Sequence, residues 1–410
     1  MRRRDSGTSI VVWSTICIFI TSFSFTSYSL FLPAMLDEFA WSRADLALPF
    51  SLSMAVWGIT QPVIGALADR RGTRVTILGG IVGMAVGFMV MGTAQQLWQV
   101  AVGYGVIVGT ATSGAGNVTY SLLVSKWFSG ASRASANGIV QAATPASPII
   151  LAPILFIGIT AFGWRLATVG YALALLVAAL PLAYIFLREP KAAPGDAPAS
   201  VSGSRKKIIL SVVRVPALRN LFVSRFACGL SLMITAHLAA AAVSSGLTLA
   251  EGAAAVSVYG VSGALGTFAG GLAADRWGRV PTLVATYLFR GLGCLVLALV
   301  SANAPLFYLG VALAAGPIMA TFTINNVQVF ELVGAKQAGF ILGVSIVLHQ
   351  IAAALTTYLG GVAFDLTGSY RLAFLVLAVL LWLVGAIPSA YTGPAKSTVR
   401  PRPAAEPAGR

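Results

Sequence analysis

Long apolar stretches dominate this sequence and restrict what the chain can fold into more than any other feature. The 410-residue chain is 57% hydrophobic and has a mean hydropathy of +0.86. An apolar run of about 20 residues matches the hydrocarbon core of a bilayer, where backbone polar groups must be paired within the chain. Twelve transmembrane helices are therefore predicted, at roughly 10–36, 47–68, 75–94, 97–125, 136–161, 166–187, 220–243, 253–274, 281–301, 305–330, 338–363 and 372–391.

The charged residues predict how these helices cross the membrane. The net charge is +15, which alone would also suit a nucleic-acid-binding protein. The basic residues, however, fall in alternate loops together with both ends of the chain, and the opposite loops hold only Arg43, Arg165 and Arg371. This is the positive-inside bias of membrane proteins. It predicts a multi-pass protein of the inner (cytoplasmic) membrane with both termini in the cytoplasm. The expected partner is the lipid bilayer, and no nucleic acid is expected to bind.

A charged decapeptide occurs twice. "GALADRRGTR" begins at Gly65 and "GGLAADRWGR" at Gly270, so Asp69, Arg70 and Gly72 recur 206 residues later. Two other features keep this offset: the helix-capping pairs Ser42–Asp45 and Thr248–Glu251, and the arginines Arg165 and Arg371. The chain is predicted to be two six-helix halves in parallel orientation. The expected division is 1–187, a cytoplasmic linker at 188–216, a second half at 217–391 and a disordered tail at 392–410.

The decapeptides are expected at the cytoplasmic ends of the second and eighth helices, where the two halves would meet. Their carboxylates can accept hydrogen bonds from a neighbouring helix end or an arginine, and such contacts would close one side and break on opening. The alternative is a solvated loop that only enforces topology. The predicted gating residues are Gly65, Asp69, Arg70, Gly72, Arg74, Gly271, Asp275, Arg276, Gly278 and Arg279.

The decapeptide "GALADRRGTR" resembles the loop between helices 2 and 3 of the major facilitator superfamily, and "DRWGR" resembles its usual second copy. The resemblance extends over essentially the whole chain in helix count, repeat and linker. It implies an all-α membrane protein with twelve transmembrane helices in two pseudo-symmetric halves, a cytoplasmic gate and transport by alternating access. A monomer is expected.

Three further segments are similar to bacterial relatives of the monocarboxylate and oxalate–formate carriers. They are "LPAMLDEFAWSRADL", "KWF" at Lys126 to Phe128 followed by "RASANGI", and "GGVAFDLTGSYRLAF". This resemblance implies small carboxylates as substrates. Thr267 stands near the position where those carriers typically have an arginine in helix 8. Drug/proton antiporters of the superfamily often carry an arginine in helix 4, and "VAVGYGVIVG" has none.

Ionisable side chains inside the predicted spans occur only in the second half. They are Arg225, His237, Arg290 and His349, and 206 residues earlier stand Phe19, Phe31, Met84 and Ala143. Buried charge is costly in a bilayer and indicates a substrate or coupling role. Since the spans contain no carboxylate, a bound proton is expected on His349 or His237, because imidazole titrates near neutral pH. Structural alternatives remain: Arg225 reaching the headgroups, His237 in a helix contact, and Arg290 on helix-end carbonyls.

The predicted function is secondary active transport of a small organic anion, expected to be a carboxylate, by rocking-switch alternating access with possible proton coupling. The alternative is an exporter of a neutral or cationic compound. A channel is disfavoured by a gate in both halves. No enzyme, metal site or cofactor is predicted, because the spans contain no acids, no HExxH and no Cys/His cluster. The substrate-binding candidates, which could equally be interhelical contacts, are Tyr28, Tyr104, Asn117, Tyr120, Gln141, Arg290, Asn325, Asn326, His349 and Gln350.

Overall fold

The computed structural model describes residues 2–39, 41–128, 130–190, 214–333 and 335–393, and these ranges contain helices and no strand. Most of the predicted linker and tail lie outside the described residues. Ten helical segments in the described ranges are long and apolar enough to cross a membrane. The twelve predicted spans map onto them with two differences: the fourth span is broken into short helices, and one segment, 136–186, holds both the fifth and sixth spans.

The first half is built from six runs of helix. Helices α1, α2 and α3 are Arg2–Glu38, Arg43–Arg71 and Thr73–Gly92. The fourth run, α4, consists of Leu97–Val100, Ala101–Val108, Gly109–Ala115 and Asn117–Trp127. Helices α5 and α6 lie in Gly130–Ala174, Leu175–Ala179 and Leu180–Phe186 and are separated at Gly163, whose φ of 80° interrupts the helix.

The second half follows the same order. Helix α7 is Pro216–Leu230 followed by Leu232–Ser244, α8 is Leu249–Trp277 and α9 is Arg279–Leu299. Helix α10 is Ala304–Ala315 followed by Pro317–Val333, and α11 is Ala335–Thr367. The last run, α12, consists of Arg371–Leu380, Leu381–Ala386 and Ile387–Ser389.

The repeat predicted from the sequence is present in the backbone. Ser42 and Asp45 form a reciprocal capping box at the start of α2, and Thr248 and Glu251 form another at the start of α8. Both helices end at a glycine with positive φ, Gly72 at 96° and Gly278 at 90°. The chain therefore starts and stops its second helix in each half by the same local chemistry.

The halves meet where α2 packs on α11, α5 on α8, and α1 on the second part of α7. Small residues bring these backbones together, for example Gly361 of α11 against Arg43 and Ala44 of α2. The opposite ends of α2, α5, α8 and α11 are less closely packed. Cβ atoms built there on Gly65, Gly138, Gly271 and Gly343 would meet no atom within 4 Å. The interface is thus tight at the end predicted to face outward and loose at the end predicted to face the cytoplasm.

Candidate functional site

Helix α7 is interrupted near its middle, and an arginine fills the interruption. The helix stops at Leu230 and resumes at Leu232, leaving Ser231 in a turn. Arg290 of α9 donates to the Cys228 carbonyl oxygen at 3.1 Å, to the Ser231 hydroxyl, and to Thr321 Oγ1 of α10 at 3.5 Å. Its side chain is fully buried. Arg290 therefore occupies helix-end acceptors, which matches the structural alternative stated above.

A second arginine lies about one and a half turns before the interruption, and most of its hydrogen-bonding capacity is unused. Arg225 is 1% exposed, so it does not extend to a membrane surface. One of its nitrogens donates to Asn326 Oδ1 of α10, and its guanidinium carbon lies 4.0 Å from the centre of the Phe322 ring. Its Nε and second terminal nitrogen have no hydrogen-bond partner among the residues that the structure describes. A buried cation without an anionic partner is costly, and a bound anion would relieve that cost.

Helix α11 completes this cluster. His349 Nδ1 lies 3.1 Å from Gln350 Oε1, and the His349 ring meets Phe322 edge to face with centroids 6.0 Å apart. The Gln350 amide nitrogen is buried and has no hydrogen-bond partner in the described part of the chain. A Cβ atom on Gly229 would overlap the His349 carbonyl, so α7 and α11 touch here. We call Arg225, Phe322, Asn326, His349 and Gln350 the α7–α10–α11 cluster.

A narrow recess lies between the halves, along the same face of α10. Met319 lines it one helical turn from Phe322. The volume of the recess is about 30 Å³, which is room for roughly one or two water molecules. The lining comes from α1, α5, α8 and α10 and is almost entirely apolar: Ser22, Phe25, Thr26, Thr144, Pro145, Pro148, Tyr259, Gly263, Ala315, Ile318 and Met319.

The candidates in the first half lie apart from this cluster and contact their own half. The Tyr28 hydroxyl donates to the Leu46 carbonyl at 2.5 Å, and the Tyr104 hydroxyl to that of Ser24 at 3.0 Å. Thr144 donates to Asn117 Oδ1 at 3.0 Å, and Gln141 donates to Ser121 Oγ at 2.9 Å. Tyr120 is buried, and its hydroxyl has no hydrogen-bond partner within the described ranges.

The predicted outer end of the interface is held by a network around α2. The Arg43 and Ala44 amides donate to the two Asp365 carboxylate oxygens at 2.9 and 2.8 Å. The Arg43 guanidinium stacks 3.9 Å above the Phe364 ring and donates to the Tyr370 hydroxyl at 3.4 Å. An aspartate at a helix N-terminus is a favourable charge–dipole contact, so this network binds α11 of one half to α2 of the other.

His237 extends that network into α7. Its Nε2 is 2.9 Å from the Thr357 carbonyl oxygen, which can only accept, so Nε2 carries the proton. In the neutral ring Nδ1 then accepts from the Tyr370 hydroxyl, also at 2.9 Å. Both His237 nitrogens are therefore used within the protein.

The predicted gating residues at the other end divide into two groups. Asp69, Arg70, Asp275 and Arg276 are exposed and form no hydrogen bond or ion pair anywhere in the described part of the chain. The two remaining arginines contact their own halves: Arg74 donates to Glu189 and to the Tyr184 carbonyl, and Arg279 pairs with Glu331.

In the first half, Glu189 contacts both Arg74 and Lys126 at this end of the protein. Its carboxylate accepts from the Arg74 amide at 3.1 Å and from Lys126 at 3.3 Å. Partial burial raises the pKa of Glu189, but these hydrogen bonds and the Lys126 charge outweigh burial and hold the pKa below its ordinary value. The carboxylate therefore stays ionised near neutral pH.

The structure assigns contacts to several residues that were absent from the predicted site. Arg225 was named among the ionisable residues inside the spans but not among the substrate-binding candidates, and it could have been included because a charge inside a predicted span is rare. Asp365 lies in the last turn of α11 and Tyr370 in the loop that follows; both belong to the segment "GGVAFDLTGSYRLAF", but the resemblance of that segment gave neither residue a role. Phe322 has the appearance of an ordinary core residue. Across the described ranges, no three His, Cys, Asp or Glu side chains come together as a metal site would require.

Comparisons with known proteins identify the architecture. A family model described as Major Facilitator Superfamily matches residues 14–356 and 221–410. The uncharacterized MFS-type transporter YcxA of Bacillus subtilis (strain 168) is 26% identical, with 88% of each chain covered. Monocarboxylate transporter 11 of Homo sapiens is 29% identical over 87% of this chain and 76% of its own. The D-xylose-proton symporter structure, 14% identical, covers 92% of this chain and 97% of its own with a TM-score of 0.70, which supports the fold alone.

Proposed function

The chain belongs to the Major Facilitator Superfamily and is a multi-pass membrane transporter, and from that premise we propose that it is a secondary carrier of a small organic carboxylate. The predicted all-α fold with two pseudo-symmetric halves is confirmed by the family match and the structural neighbour. The family and relatives are transporters of small molecules through a bilayer. The substrate, the coupling ion and the membrane orientation are the steps that the proposal adds.

Arg225 is the observation that carries the proposal. It is a buried guanidinium with two nitrogens that have no hydrogen-bond partner among the described residues, and Asn326 beside it has an amide group that can complete the coordination of an oxyanion. Arginine suits a carboxylate because its donors match the two oxygens in a fixed plane. A cationic substrate would meet only positive or neutral groups at this cluster. The similarity to a protein named as a monocarboxylate transporter agrees with this assignment.

His349 is the proposed proton site, with His237 as the second candidate. His349 belongs to the same cluster as Arg225, and its ring contacts the Gln350 amide oxygen and the Cys228 thiol rather than backbone groups. A carboxylate bound nearby would stabilise imidazolium, so proton and anion would each favour binding of the other. His237 differs because both of its nitrogens already have partners in the outer network. We therefore place proton symport on His349 and outer closure on His237 and Tyr370.

Alternating access provides the physical mechanism. The Asp365 network closes the predicted outer end, while Asp69 and Asp275 at the predicted cytoplasmic end have no partner among the described residues. We infer that this conformation is open to the cytoplasm, in an inner membrane with both termini inside, and that the decapeptides form their contacts when that side closes. Arg290 holds the interrupted α7 in shape and is assigned to positioning rather than to substrate contact. One protomer contains the whole pathway, which agrees with a monomer.

The test is counterflow in proteoliposomes with a panel of lactate, pyruvate, oxalate, an aromatic acid and a lipophilic cation. We expect saturable counterflow of a carboxylate and none of the cation. Arg225→Gln should lower the transport rate roughly tenfold or more, since it removes a charge-assisted contact. Arg371→Gln is the matched control, because the Arg371 side chain has no hydrogen bond or ion pair among the described residues. Equal activity in both variants would contradict the carboxylate assignment, as would preference for the cation.

Proton coupling is tested separately on the same vesicles. Uptake should rise as external pH falls from about 7.5 to about 5.5, the range in which an ordinary imidazole gains its proton. His349→Gln should abolish accumulation driven by the pH gradient while substrate exchange continues. Accumulation that still follows the gradient in this variant removes His349 as the proton site.

A further inference from the structure

One hydroxyl group in the network around α2 joins a buried histidine to a partly exposed arginine of the other half. The Tyr370 hydroxyl donates to His237 Nδ1 at 2.9 Å and accepts from the Arg43 guanidinium at 3.4 Å. A hydroxyl has a single proton to donate, and its donation to Nδ1 requires that this nitrogen carry no proton. The ring is fully buried and donates from Nε2 to the Thr357 carbonyl. The observed network is therefore that of a neutral His237.

Protonation of His237 would place two cations on the same oxygen atom. Nδ1 would then donate to the Tyr370 oxygen, which already accepts from Arg43, and the hydroxyl would have to turn its own proton away from the ring. A buried cation is costly without an anionic partner. The carboxylate at this end, Asp365, is already engaged by the Arg43 and Ala44 amides. The closed network thus disfavours the protonated ring.

The charged groups that act on the ring come from both halves. They are the Arg43 guanidinium of α2 and the Asp365 carboxylate of α11. Helices α1 and α8 also pack on this part of α7. Their carboxylates at this end are engaged elsewhere: Glu38 of α1 is in an ion pair within its own half, and Glu251 closes the capping box of α8, as Asp45 does for α2. Within the described residues, the balance of charge at the ring is therefore set by one arginine and one aspartate.

Opening of the predicted outer end would change this balance. His237, Thr357 and Tyr370 belong to the second half and Arg43 to the first, and α1 of the first half packs on the second part of α7. When the halves separate here, Arg43 moves away and water reaches the face of α7 that α1 covered. A charged imidazole is then hydrated and freed from the like charge. The protonated ring therefore favours the open outer end, and the neutral ring favours the closed one.

We propose that His237, Tyr370 and Arg43 form a proton-controlled latch at the outer end. His237 takes up a proton from the outer side when this end is open, and closing requires the proton to leave to the same side. This proton is not carried across the membrane, which separates it from the proton proposed for His349. The inference rests on the proposed alternating access and membrane orientation, and it involves no particular substrate.

The latch predicts that acid opens the outer end in the absence of substrate. Gln95 and Ser301 are exposed residues in the α3–α4 and α9–α10 loops, one in each half at this end. Spin labels on Gln95→Cys and Ser301→Cys, in the purified chain in lipid nanodiscs, report their separation by double electron–electron resonance. The three native cysteines are buried, and the chain without the added pair is the labelling control.

The separation is measured between about pH 8 and about pH 5.5, which spans the ordinary titration of imidazole. The long-distance population should grow as pH falls. The ratio of open to closed molecules should rise by up to roughly tenfold for each pH unit, which is the limit for one proton. A separation that does not change with pH in the chain carrying only the label pair overturns the latch. Because no substrate is present, that result leaves carboxylate counterflow to its own test.

Two histidine variants assign the response. His237→Gln keeps a donor for the Thr357 carbonyl but takes up no proton, so the ratio of open to closed molecules should no longer change with pH. His349→Gln is the matched control and should keep the response. A response that persists in His237→Gln, or that is lost only in His349→Gln, overturns the latch.

Two further variants test the partners of the ring. Tyr370→Phe removes the bridging hydroxyl and should raise the ratio of open to closed molecules roughly threefold or more at about pH 8, because the closed state loses the contact with Arg43. An unchanged ratio in Tyr370→Phe overturns the bridging role. Asp365→Asn should keep the response to pH. Loss of the response in Asp365→Asn together with its retention in His237→Gln would assign the proton to Asp365 and overturn the latch on His237.

Discussion

Helix α1 runs without interruption from Arg2 to Glu38, whereas its counterpart α7 breaks at Ser231. The two halves share the residues that start and stop α2 and α8, namely the capping boxes and the glycines at positive φ. They differ in what they bury near the middle of the membrane. Where the second half has Arg225 and Arg290, the first has aromatic and aliphatic side chains.

The difference has a physical cause. A helix that breaks inside a bilayer frees backbone carbonyls, and these need a donor because no water is available. Arg290 supplies donors to the Cys228 carbonyl and the Ser231 hydroxyl, and the uninterrupted α1 creates no such requirement at the corresponding Met84. The repeat therefore separates residues that the shared architecture needs from residues that serve one half. Substitutions at positions related by the 206-residue offset can test this separation.

The largest effect is expected from Arg290→Met, which gives the second half the residue of the first. Each hydrogen bond to a charged group is worth roughly 1.5–3 kcal/mol, and this substitution removes several around α7. We expect a loss of at least about 2 kcal/mol in unfolding free energy, visible as a lower thermal midpoint in detergent, together with severe loss of transport.

The matched variant is Met84→Leu, which keeps an apolar side chain of similar size and should cost less than about 1.5 kcal/mol. If Arg290→Met is as stable as Met84→Leu, then Arg290 does not hold the α7 interruption. Retained stability with loss of carboxylate binding would instead return Arg290 to direct substrate contact.

A smaller effect is expected from Gly72→Ala and Gly278→Ala. Both glycines adopt backbone angles that other residues reach only with strain of roughly 1–3 kcal/mol. A Cβ on Gly72 would also lie 2.8 Å from Glu189 Oε1, whereas one on Gly278 would meet only Pro281 at 3.8 Å. Gly72→Ala should therefore lower the thermal midpoint more than Gly278→Ala. Equal losses would show that the Glu189 side chain can move aside at little cost and that backbone strain alone determines the loss of stability.

The features shared by the halves are those that the sequence predicts well. Hydropathy, the capping pairs and the glycines after α2 and α8 act through neighbouring residues, so their effect can be inferred from local sequence. The interruption of α7 is different. The segment "CGLSL" around it contains no proline, and the turn depends on α11 pressing against Gly229 and on Arg290 from α9. Such causes lie tens of residues away along the chain.

The candidate site was predictable in part for the same reason. His349, Gln350 and Asn326 could be chosen as candidates because intramembrane polar groups are few and their depth follows from helix length, and their role in substrate binding stays a prediction. Depth does not fix the rotation of a helix about its axis. Arg290 and His349 were both substrate-binding candidates, yet Arg290 packs against the α7 interruption. Arg225, at a different depth, is the arginine that faces α10.

Substitutions at the repeated arginines, Arg165 and Arg371, should differ still less in their effect on stability. Arg165 donates to Glu38 at 2.7 and 3.1 Å and to the Ala94 carbonyl, whereas the Arg371 side chain has no described partner. The Arg165–Glu38 pair is partly exposed, and such pairs contribute about 0.2–1 kcal/mol. Arg165→Ala should lower the thermal midpoint slightly and less so in high salt, and Arg371→Ala should leave it unchanged. An effect of Arg371→Ala as large as that of Arg165→Ala would show that the Glu38 pair contributes nothing.

The smallest effect on stability is expected at the gate aspartates, although their effect on transport should be clear. Asp69 and Asp275 make no hydrogen bond or ion pair among the described residues, so Asp69→Asn and Asp275→Asn should change the unfolding free energy of this conformation by less than about 0.5 kcal/mol.

The proposed contacts of the two aspartates form only when the predicted cytoplasmic side closes. Each variant should therefore slow transport and raise the labelling of single cysteines near Gly65 or Gly271 from the cytoplasmic side, because the closed state loses a charged contact. Unchanged transport and labelling would mean that the decapeptides only enforce topology. A response to Asp69→Asn without one to Asp275→Asn would place the gate in the first half, opposite to the half that carries the buried cations.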